Sequence, residues 1–372
     1  MFGRTGHALL ARSAAIALPC IACSGPRDAG LPTLRSPVAA YAYSRARVPL
    51  PRHFVFDVSG SAMTDDNMPP ADPTTDAGAA LGRVLFYDTR LSANDHMSCA
   101  SCHKQRFSFA DTVRFSRGID GTPTARHVMA LANARFYVYG RFFRDERAAT
   151  LEQQVLMPIR DPHEMALPID ALIGKLRRTP YYPPLFQAAF GTRDIDSVRV
   201  ARALAQFVRS LITFHAPFDS VFRGNGPPNL ALLSTPEVLG KQLFDGRAGC
   251  SRCHRTNAFD LDRANNIGLD SIPADTGAGG GKFKTAALRN VAIRPPYMHD
   301  GRFRTLREVI DFYDHGIQET RALDPRLRGA DGKPQRLHLT AAERDALIAF
   351  LASLTDEAFL SDDRFADPFE RH

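Results

Sequence analysis

The chain has 372 residues, 44% of them apolar, which is enough for two compact domains with their own cores. Its formal charge of +7 is spread without a Lys/Arg run, and this pattern argues against nucleic-acid binding. No stretch after residue 23 is long and apolar enough to cross a bilayer.

Residues 1–23 have the pattern of a secretory signal, with Arg4 and Arg12 before a short apolar run and small residues. We therefore expect export to the periplasm and removal of this segment. Cys23 stands where a bacterial lipid-modified cysteine would, although Pro19 and Cys20 make the motif imperfect. The sequence leaves a lipid anchor at Cys23 open.

Residues 24–75 are rich in Pro, Ala and Arg, and we interpret them as an irregular lead-in. From residue 76 a helical pattern begins, and we assign a first domain to residues 76–230. Turn residues at 225–234 mark its end, and a second domain takes residues 231–372. The segment "LGKQLFDG" in the second domain repeats "LGRVLFYD" of the first, which indicates one module present twice.

Most of the chain has helical rather than strand periodicity, so the predicted fold class is mainly α. The clearest amphipathic helix covers residues 196–214 and closes the first domain. Capping boxes predict three further helix starts, at Thr150, Thr305 and Thr340. Residues 276–284 are glycine-rich and are predicted to form a loop.

Six cysteines form three Cys-x-x-Cys pairs, and two of these are followed directly by histidine. Cys-x-x-Cys-His is the attachment signature of c-type haem: two thiols one turn apart form thioethers, and the imidazole becomes the proximal iron ligand. The sequence therefore predicts two covalent haems, held by Cys99, Cys102 and His103 and by Cys250, Cys253 and His254.

Other interpretations of these pairs are a zinc site or a redox dithiol. A zinc site built from Cys250 and Cys253 together with the first pair, Cys20 and Cys23, would leave both histidines unexplained. This first pair lies inside the signal segment and has no histidine.

The chain resembles the bacterial di-haem cytochrome c peroxidase family, which includes the MauG-type enzymes. The resemblance runs from about residue 76 to 355 and is carried by "LGRVLFYDTRLSANDHMSCASCH", "LEQQVLMPIRDPHEM", "GKQLFDGRAGCSRCH" and "GKFKTAALRNVAIRPPYMHDGRF". It implies two cytochrome c-like haem domains packed face to face. It also implies that hydrogen peroxide reacts at the N-terminal haem and that electrons pass through the C-terminal one.

The resemblance places Gln154 and Glu164 where the family keeps a distal amide and carboxylate. Before the O–O bond of peroxide breaks, one oxygen must lose a proton and the leaving oxygen must gain one. A carboxylate above an open iron can move that proton, and an amide can hold the peroxide. On spacing alone, a Glu164 that caps the turn near Pro162 is the more common case, and it is the surrounding resemblance that favours the catalytic role. The adjacent His163 is interpreted as a loop residue.

Two positions depart from conventional peroxidases of this family. A second histidine blocks their peroxidatic iron at rest, but Ile119 stands here, which predicts an open haem. Tyr313, fourteen residues after His299, occupies the axial position where those enzymes have methionine and MauG-type members have tyrosine. We expect Tyr313 to bind the second iron, the alternative being a buried tyrosine in an apolar stripe with Leu306 and Ile310.

A third departure affects the region between the haems. Arg144 takes the place of a tryptophan that relays electrons in the family, and the chain contains no Trp. Tyr137 and Tyr139 are the remaining candidates for a relay. His127 stands where the family usually has an asparagine tied to a calcium site, which leaves calcium open; it is also a weaker candidate for a distal iron ligand.

Three functions remain open from sequence. The first is a periplasmic di-haem peroxidase that takes electrons from a small cytochrome c or cupredoxin. The second is a MauG-like oxidase that stores oxidising equivalents on both haems and oxidises a protein or organic substrate. The third is a non-catalytic di-haem electron carrier, which Glu164 beside an unblocked iron disfavours. The sequence names neither the substrate nor the oligomer, and a homodimer is left open.

Overall fold

The computed structural model describes residues 33–35, 41–55, 62–137, 139–224, 226–259 and 263–370. Within these ranges the chain forms helices joined by long irregular connections, with isolated β-bridges and no strand. The α-helices are Arg52–Val55 (α1), Asp76–Tyr87 (α2), Cys99–Cys102 (α3), Leu151–Gln154 (α4), Met157–Arg160 (α5), Ile169–Arg178 (α6), Tyr182–Phe190 (α7), Ser197–Ser210 (α8), Thr235–Asp245 (α9), Leu306–Asp311 (α10), Ala341–Ala352 (α11) and Glu357–Leu360 (α12). The mainly-α prediction is confirmed.

None of the helices in the described ranges is long and apolar enough to span a membrane. The predicted signal segment 1–23, including Cys20 and Cys23, lies outside the described residues.

Two helix pairs form the centres of two apolar cores, and both pairs cross at a glycine. In the first core, a Cβ on Gly82 of α2 would lie 1.9 Å from the Ala203 carbonyl oxygen of α8. In the second core, a Cβ on Gly240 of α9 would lie 2.0 Å from the Ala346 carbonyl oxygen of α11. The two helix pairs can approach this closely only because neither glycine has a side chain, and the match supports the predicted internal repeat.

The aromatic packing repeats in the same way. In the first core, the ring centroid of Phe86 lies 5.2 Å from that of Phe207 and 6.4 Å from that of His103. The corresponding distances from Phe244 to Phe350 and to His254 are 5.2 Å and 6.5 Å. Each crossing helix pair therefore supplies a phenylalanine that packs near the histidine of one Cys-x-x-Cys-His motif.

The helix starts predicted from capping boxes are observed. Thr150, Thr305 and Thr340 each accept a hydrogen bond from the backbone N–H of the residue three positions later. The predicted helix 196–214 is shorter, because α8 begins at Ser197 after the Asp196 cap and ends at Ser210.

The segment that carries Tyr313 differs from the prediction. The α-helix α10 ends at Asp311, and the chain continues as a π-helical turn, Phe312–Gly316. A π turn changes the angular spacing of side chains, so the α-helical spacing from Leu306 and Ile310 does not set the direction of Tyr313.

A buried polar network connects the two cores. The Asn290 side chain donates to the Ser108 hydroxyl at 3.1 Å, and its amide oxygen accepts from the Asp356 backbone N–H at 2.7 Å. The Asp356 carboxylate in turn accepts from the Thr213 hydroxyl at 2.8 Å. Because buried polar groups are costly without partners, this network fixes the position of the first core relative to the second.

The chain after Asp356 packs on the first core. Phe359, Phe365 and Phe369 are buried there, and the Tyr87 hydroxyl donates to the Phe365 carbonyl oxygen at 2.7 Å. The predicted domain division between residues 230 and 231 stays a prediction. The tail after Asp356 belongs to the predicted second domain in sequence, but it packs on the first core.

Replacing Gly240 by alanine is expected to lower the free energy of unfolding by about 1–3 kcal/mol, because the new Cβ overlaps the Ala346 carbonyl. Denaturant unfolding followed by circular dichroism measures this change. Gly174→Ala in α6 is the control, since its Cβ meets only the mobile end of Arg178 at 3.3 Å and alanine favours the helix. Equal unfolding midpoints for wild-type and Gly240→Ala protein would show that the crossing is not tight.

Candidate haem-binding and peroxide site

The first motif forms a short helix that brings its three side chains together. α3 begins after Ser98, which is in a capping box with Ser101, and places Cys99 and Cys102 one turn apart. His103 caps the end of the same helix. Two thiols and an imidazole thus lie at one end of the first core, in the arrangement that thioether attachment of a haem requires.

A hydrogen bond at Nδ1 fixes the orientation of the His103 ring. Its Nδ1 lies 2.8 Å from the Phe109 carbonyl oxygen, a distance at which an N–H donates a hydrogen bond. Burial lowers the pKa of His103, so the ring is neutral near pH 7. When a neutral imidazole donates its Nδ1 proton to a carbonyl oxygen, its Nε2 carries a free lone pair. An axial iron ligand needs this lone pair.

Glu164 lies close to the first motif. Burial, followed by repulsion from Asp161, raises the pKa of Glu164. The negative charge of Glu164 contributes to raising the pKa of Cys99 to about 12 and that of Cys102 to about 11, after the larger effect of burial. The structure therefore brings a half-buried carboxyl to the two cysteines.

The loop that carries Ile119 fixes the segment that carries Glu164. The Ile119 backbone N–H donates to the Glu164 carbonyl oxygen at 2.9 Å. A Cβ on Gly118 would lie 1.4 Å from the His163 carbonyl oxygen, so only glycine fits at this contact. His163 itself is exposed and lies 2.9 Å from the Asp120 carboxylate, as expected for a loop residue. Gln154 is half-buried at the end of α4.

The second motif borders a large cavity. A 3₁₀ turn, Cys250–Arg252, carries the first cysteine, and Cys250, Cys253, His254 and Tyr313 all line a cavity of 230 Å³. Tyr313 therefore lies on the same cavity as the second set of predicted haem-binding residues, although the sequence separates them by about sixty positions.

The phenol of Tyr313 is protonated in its present surroundings. Burial, followed by the neighbouring thiols of Cys253 and Cys250, raises the pKa of Tyr313 well above its usual 10. A metal cation beside the oxygen reverses this effect, because it replaces the proton as the positive partner of the phenolate.

The cavity of the second motif is also lined by basic side chains. His127 is buried and lines the cavity of the second motif, with Nδ1 3.1 Å from the Val113 carbonyl oxygen. The Nε of Arg144 donates to the His127 carbonyl oxygen at 2.8 Å. Burial, followed by repulsion from Arg144, lowers the pKa of His127 to about 4. A neutral imidazole among guanidinium groups is a poor set of donors for calcium, which prefers oxygen.

The two relay candidates form an aromatic pair. Tyr137 is buried, and its ring centroid lies 5.6 Å from that of Tyr139, which is 38% exposed. The ammonium of Lys284 lies 3.6 Å from the Tyr137 ring centroid, and Lys284 also lines the cavity. The Tyr137 hydroxyl donates to the Glu146 carboxylate.

Sequence reasoning missed one functional candidate in this cavity. It assigned no role to the Arg294 side chain, whereas in the structure Arg294 lines the cavity. The replacement of the family tryptophan by Arg144 was the available signal that charge had entered this region. Nothing in the sequence indicated that segments near 127, 144 and 294 meet.

A duplicated helical module with a Cys-x-x-Cys-His motif in each half defines a di-haem c-type protein. The family model described as di-haem cytochrome c peroxidase matches residues 76–226. The chain is 35% identical over 300 residues to the methylamine utilization protein MauG of Methylorubrum extorquens, covering 78% of this chain and 81% of that protein. The chain belongs to the di-haem cytochrome c peroxidase and MauG family, and is an oxidoreductase of peroxide-type chemistry.

Further similarities agree with this assignment. The cytochrome-c peroxidase IdrP2 of Pseudomonas sp. (strain SCT) is 30% identical over 334 residues, covering 80% of this chain and 86% of that protein. A crystal structure of a MauG-like protein associated with microbial copper homeostasis superposes with a TM-score of 0.73 at 31% identity, covering 86% of this chain and 98% of that one. The diheme peroxidase BthA from Burkholderia thailandensis superposes with a TM-score of 0.62 at 25% identity, covering 82% and 91%.

Proposed function

We propose that the protein carries one haem c on each motif and reduces hydrogen peroxide at the haem attached to Cys99 and Cys102. The second haem is attached to Cys250 and Cys253. His103 and His254 would hold the two irons. Haem iron supplies the site at which peroxide binds and the oxidising equivalents that its cleavage releases.

Glu164 carries the peroxidase proposal, because it is a half-buried carboxyl with a raised pKa whose charge acts on both cysteines of the first motif. Its carboxylate would accept a proton from one oxygen of the peroxide and return it to the other, leaving oxygen, which departs as water. Gln154 holds the peroxide by hydrogen bonds from its amide. The full reaction consumes two electrons and two protons and gives two waters. Ile119 leaves the iron face open, since its side chain has no donor atom.

Electrons reach the first haem through the second one, from a small periplasmic cytochrome c or cupredoxin. The exported location rests on the signal pattern of residues 1–23, with a lipid anchor at Cys23 as a separate question. Removal of residues 1–23 takes away Arg4 and Arg12 and no acid, which leaves a formal charge of +5. This positive charge favours a donor with an acidic docking surface.

The position of Tyr313 favours a second candidate function. Tyr313 lines the cavity of the second motif and lies close to Cys250 and Cys253, where its phenolate would bind iron. A hard anionic ligand stabilises oxidised iron, which suits a MauG-like oxidase that stores oxidising equivalents on both haems and withdraws electrons from a protein or organic substrate. Similarity to MauG proteins supports this candidate beside the peroxidase.

The purified protein is expected to contain two haems per chain and to react with peroxide in the ferric state without prior reduction. Replacing Glu164 by glutamine is expected to slow this reaction roughly 10²-fold or more, because the proton acceptor is lost. Stopped-flow absorbance in the Soret region measures the rate. Glu357→Gln, which changes an exposed carboxyl on α12, is the control. A wild-type protein with two haems and no peroxide reaction would instead be an electron carrier.

The rate with peroxide is expected to rise with pH through a pKa above 4.5, the usual value for glutamate. Burial raises the pKa of Glu164, so the group is protonated at low pH and accepts a proton only above its own pKa. Stopped-flow rates between about pH 4 and pH 8 locate this limb. The same limb in Glu164→Gln would assign it to another group.

Replacing Tyr313 by methionine is expected to raise the reduction potential of the second haem, because thioether ligation favours ferrous iron more than phenolate does. Spectroelectrochemical titration measures this potential. Tyr297→Phe is a matched control, since Tyr297 lines the same cavity but its hydroxyl donates to the Val291 carbonyl oxygen at 3.1 Å. Equal potentials in Tyr313→Met and wild-type protein would mean that Tyr313 only packs against the haem.

A further inference from the structure

Two guanidinium groups line the cavity at the second motif. Arg144 is half-buried, and its Nε is engaged by the His127 carbonyl oxygen. Arg294 is only 8% exposed, and one of its terminal nitrogens donates to the Ala287 carbonyl oxygen. The Nε of Arg294 is buried and has no hydrogen-bond partner among the described residues.

The carboxylates around the cavity are already engaged by other arginines. Asp270 lies 2.8 Å from Arg302, and Asp324 lies 2.7 Å from Arg326. Both aspartates line the cavity, but neither is paired with Arg144 or Arg294 in the part of the chain that the structure describes. The aspartates that line the cavity therefore do not neutralise Arg144 or Arg294 by direct pairing, and buried cations of this kind require an anion.

The pKa values agree with this geometry. Burial, followed by repulsion from Arg294, lowers the pKa of Arg144 to about 9. Burial lowers the pKa of Arg294 to about 10. Burial is also the main reason why the pKa of His299, on the same cavity, falls to about 4, and Arg144 contributes to that shift.

The cavity is lined by two chemically different groups of residues. Cys250, Cys253 and His254 belong to one short segment that opens with the 3₁₀ turn. Arg144 belongs to the other group, since its Nε donates to the His127 carbonyl oxygen and the His127 backbone N–H donates to the His299 carbonyl oxygen at 2.8 Å. A haem c has a matching polarity, because its thioether bonds and its two propionate carboxylates lie at opposite edges of the porphyrin.

We propose that Arg144 and Arg294 bind the propionate carboxylates of the haem attached to Cys250 and Cys253. This inference rests on the haem attachment proposed above. Arginine suits the task because its planar group can donate two parallel hydrogen bonds to one carboxylate. The unpartnered Nε of Arg294 is then satisfied by a propionate oxygen.

The same arrangement accounts for the change at His127. The resemblance puts a calcium site near this position, where the family has an asparagine. A calcium ion at His127 would lie close to Arg144, whose charge already contributes to lowering the pKa of the imidazole. The guanidiniums take over the role of a cation beside the propionates, so the reduction potential of this haem does not depend on calcium.

Neutralising either guanidinium is expected to lower the potential of one haem, because a positive charge near the propionates favours the reduced iron. We expect Arg294→Gln and Arg144→Gln each to shift the ferric–ferrous equilibrium about tenfold, which is about 59 mV for one electron. Arg294→Lys keeps the charge and is expected to give a smaller shift. Arg321→Gln removes an exposed charge and serves as the control.

Two measurements decide the proposal, a spectroelectrochemical titration of both haems and resonance Raman spectra of the propionate bending modes. The proposal is supported by a potential shift confined to one haem together with a changed propionate mode. Unchanged potentials and modes in Arg144→Gln and Arg294→Lys, with two haems retained, would overturn it even if Arg294→Gln does not fold.

Two other results would also overturn it. A wild-type potential that changes with chloride or phosphate concentration would mean that a free anion occupies the guanidiniums. A potential that changes on adding a calcium chelator would restore the calcium site. If wild-type protein lacks the second haem altogether, the attachment proposed above fails, and this result is distinct because haem content is measured first.

Discussion

The close crossing of two helices at a glycine is the constraint on which the rest of the molecule depends. At Gly82 and again at Gly240, the missing side chain lets a helix backbone contact its partner helix directly. Four residues later on the same helix, one turn beyond the crossing, Phe86 or Phe244 packs against the partner phenylalanine and near the motif histidine. The close backbone contact therefore positions the phenylalanine of each core, and with it the neighbouring motif histidine.

A buried polar network around Asn290 is one of the contacts that join the two cores. Asn290 bonds to Ser108 on one side and to Asp356 on the other. Ser108 directly precedes Phe109, whose carbonyl oxygen accepts the bond from His103. Ser108 and Phe109 both have positive φ, 58° and 59°, so this short segment is held in the left-handed region by its surroundings. The orientation of the first imidazole thus depends on a contact made by the second half of the chain.

The haem-attachment residues and several helix starts can be predicted from the sequence, because each depends on residues that are close together in the chain. The two Cys-x-x-Cys-His motifs, the capped helix starts and the repeat around Gly82 and Gly240 each involve residues close together in the chain. The pairing of Tyr313 with the second motif was reached only through the resemblance. The π turn at Phe312–Gly316 was not predicted, because one extra residue per turn leaves no distinct signature in composition.

The cation cluster was missed for a different reason. Arg144, Arg294 and His127 come from three distant segments, and their proximity follows from tertiary packing rather than from any pattern. The sequence showed only that a tryptophan and an asparagine of the family are replaced by charged or titratable groups. Separate replacements at two positions carry little meaning until the structure brings them into one cavity.

Tyr313 and the two arginines are proposed to shift the reduction potential of the second haem in opposite directions. A phenolate from Tyr313 would add negative charge directly to the metal and favour its oxidised states, whereas Arg144 and Arg294 would favour reduction from the propionate edge. The axial bond is the stronger influence, because it acts at the iron rather than across the porphyrin. The guanidiniums would then limit how far the potential falls, which keeps this haem reducible by an external donor while it still tolerates oxidation.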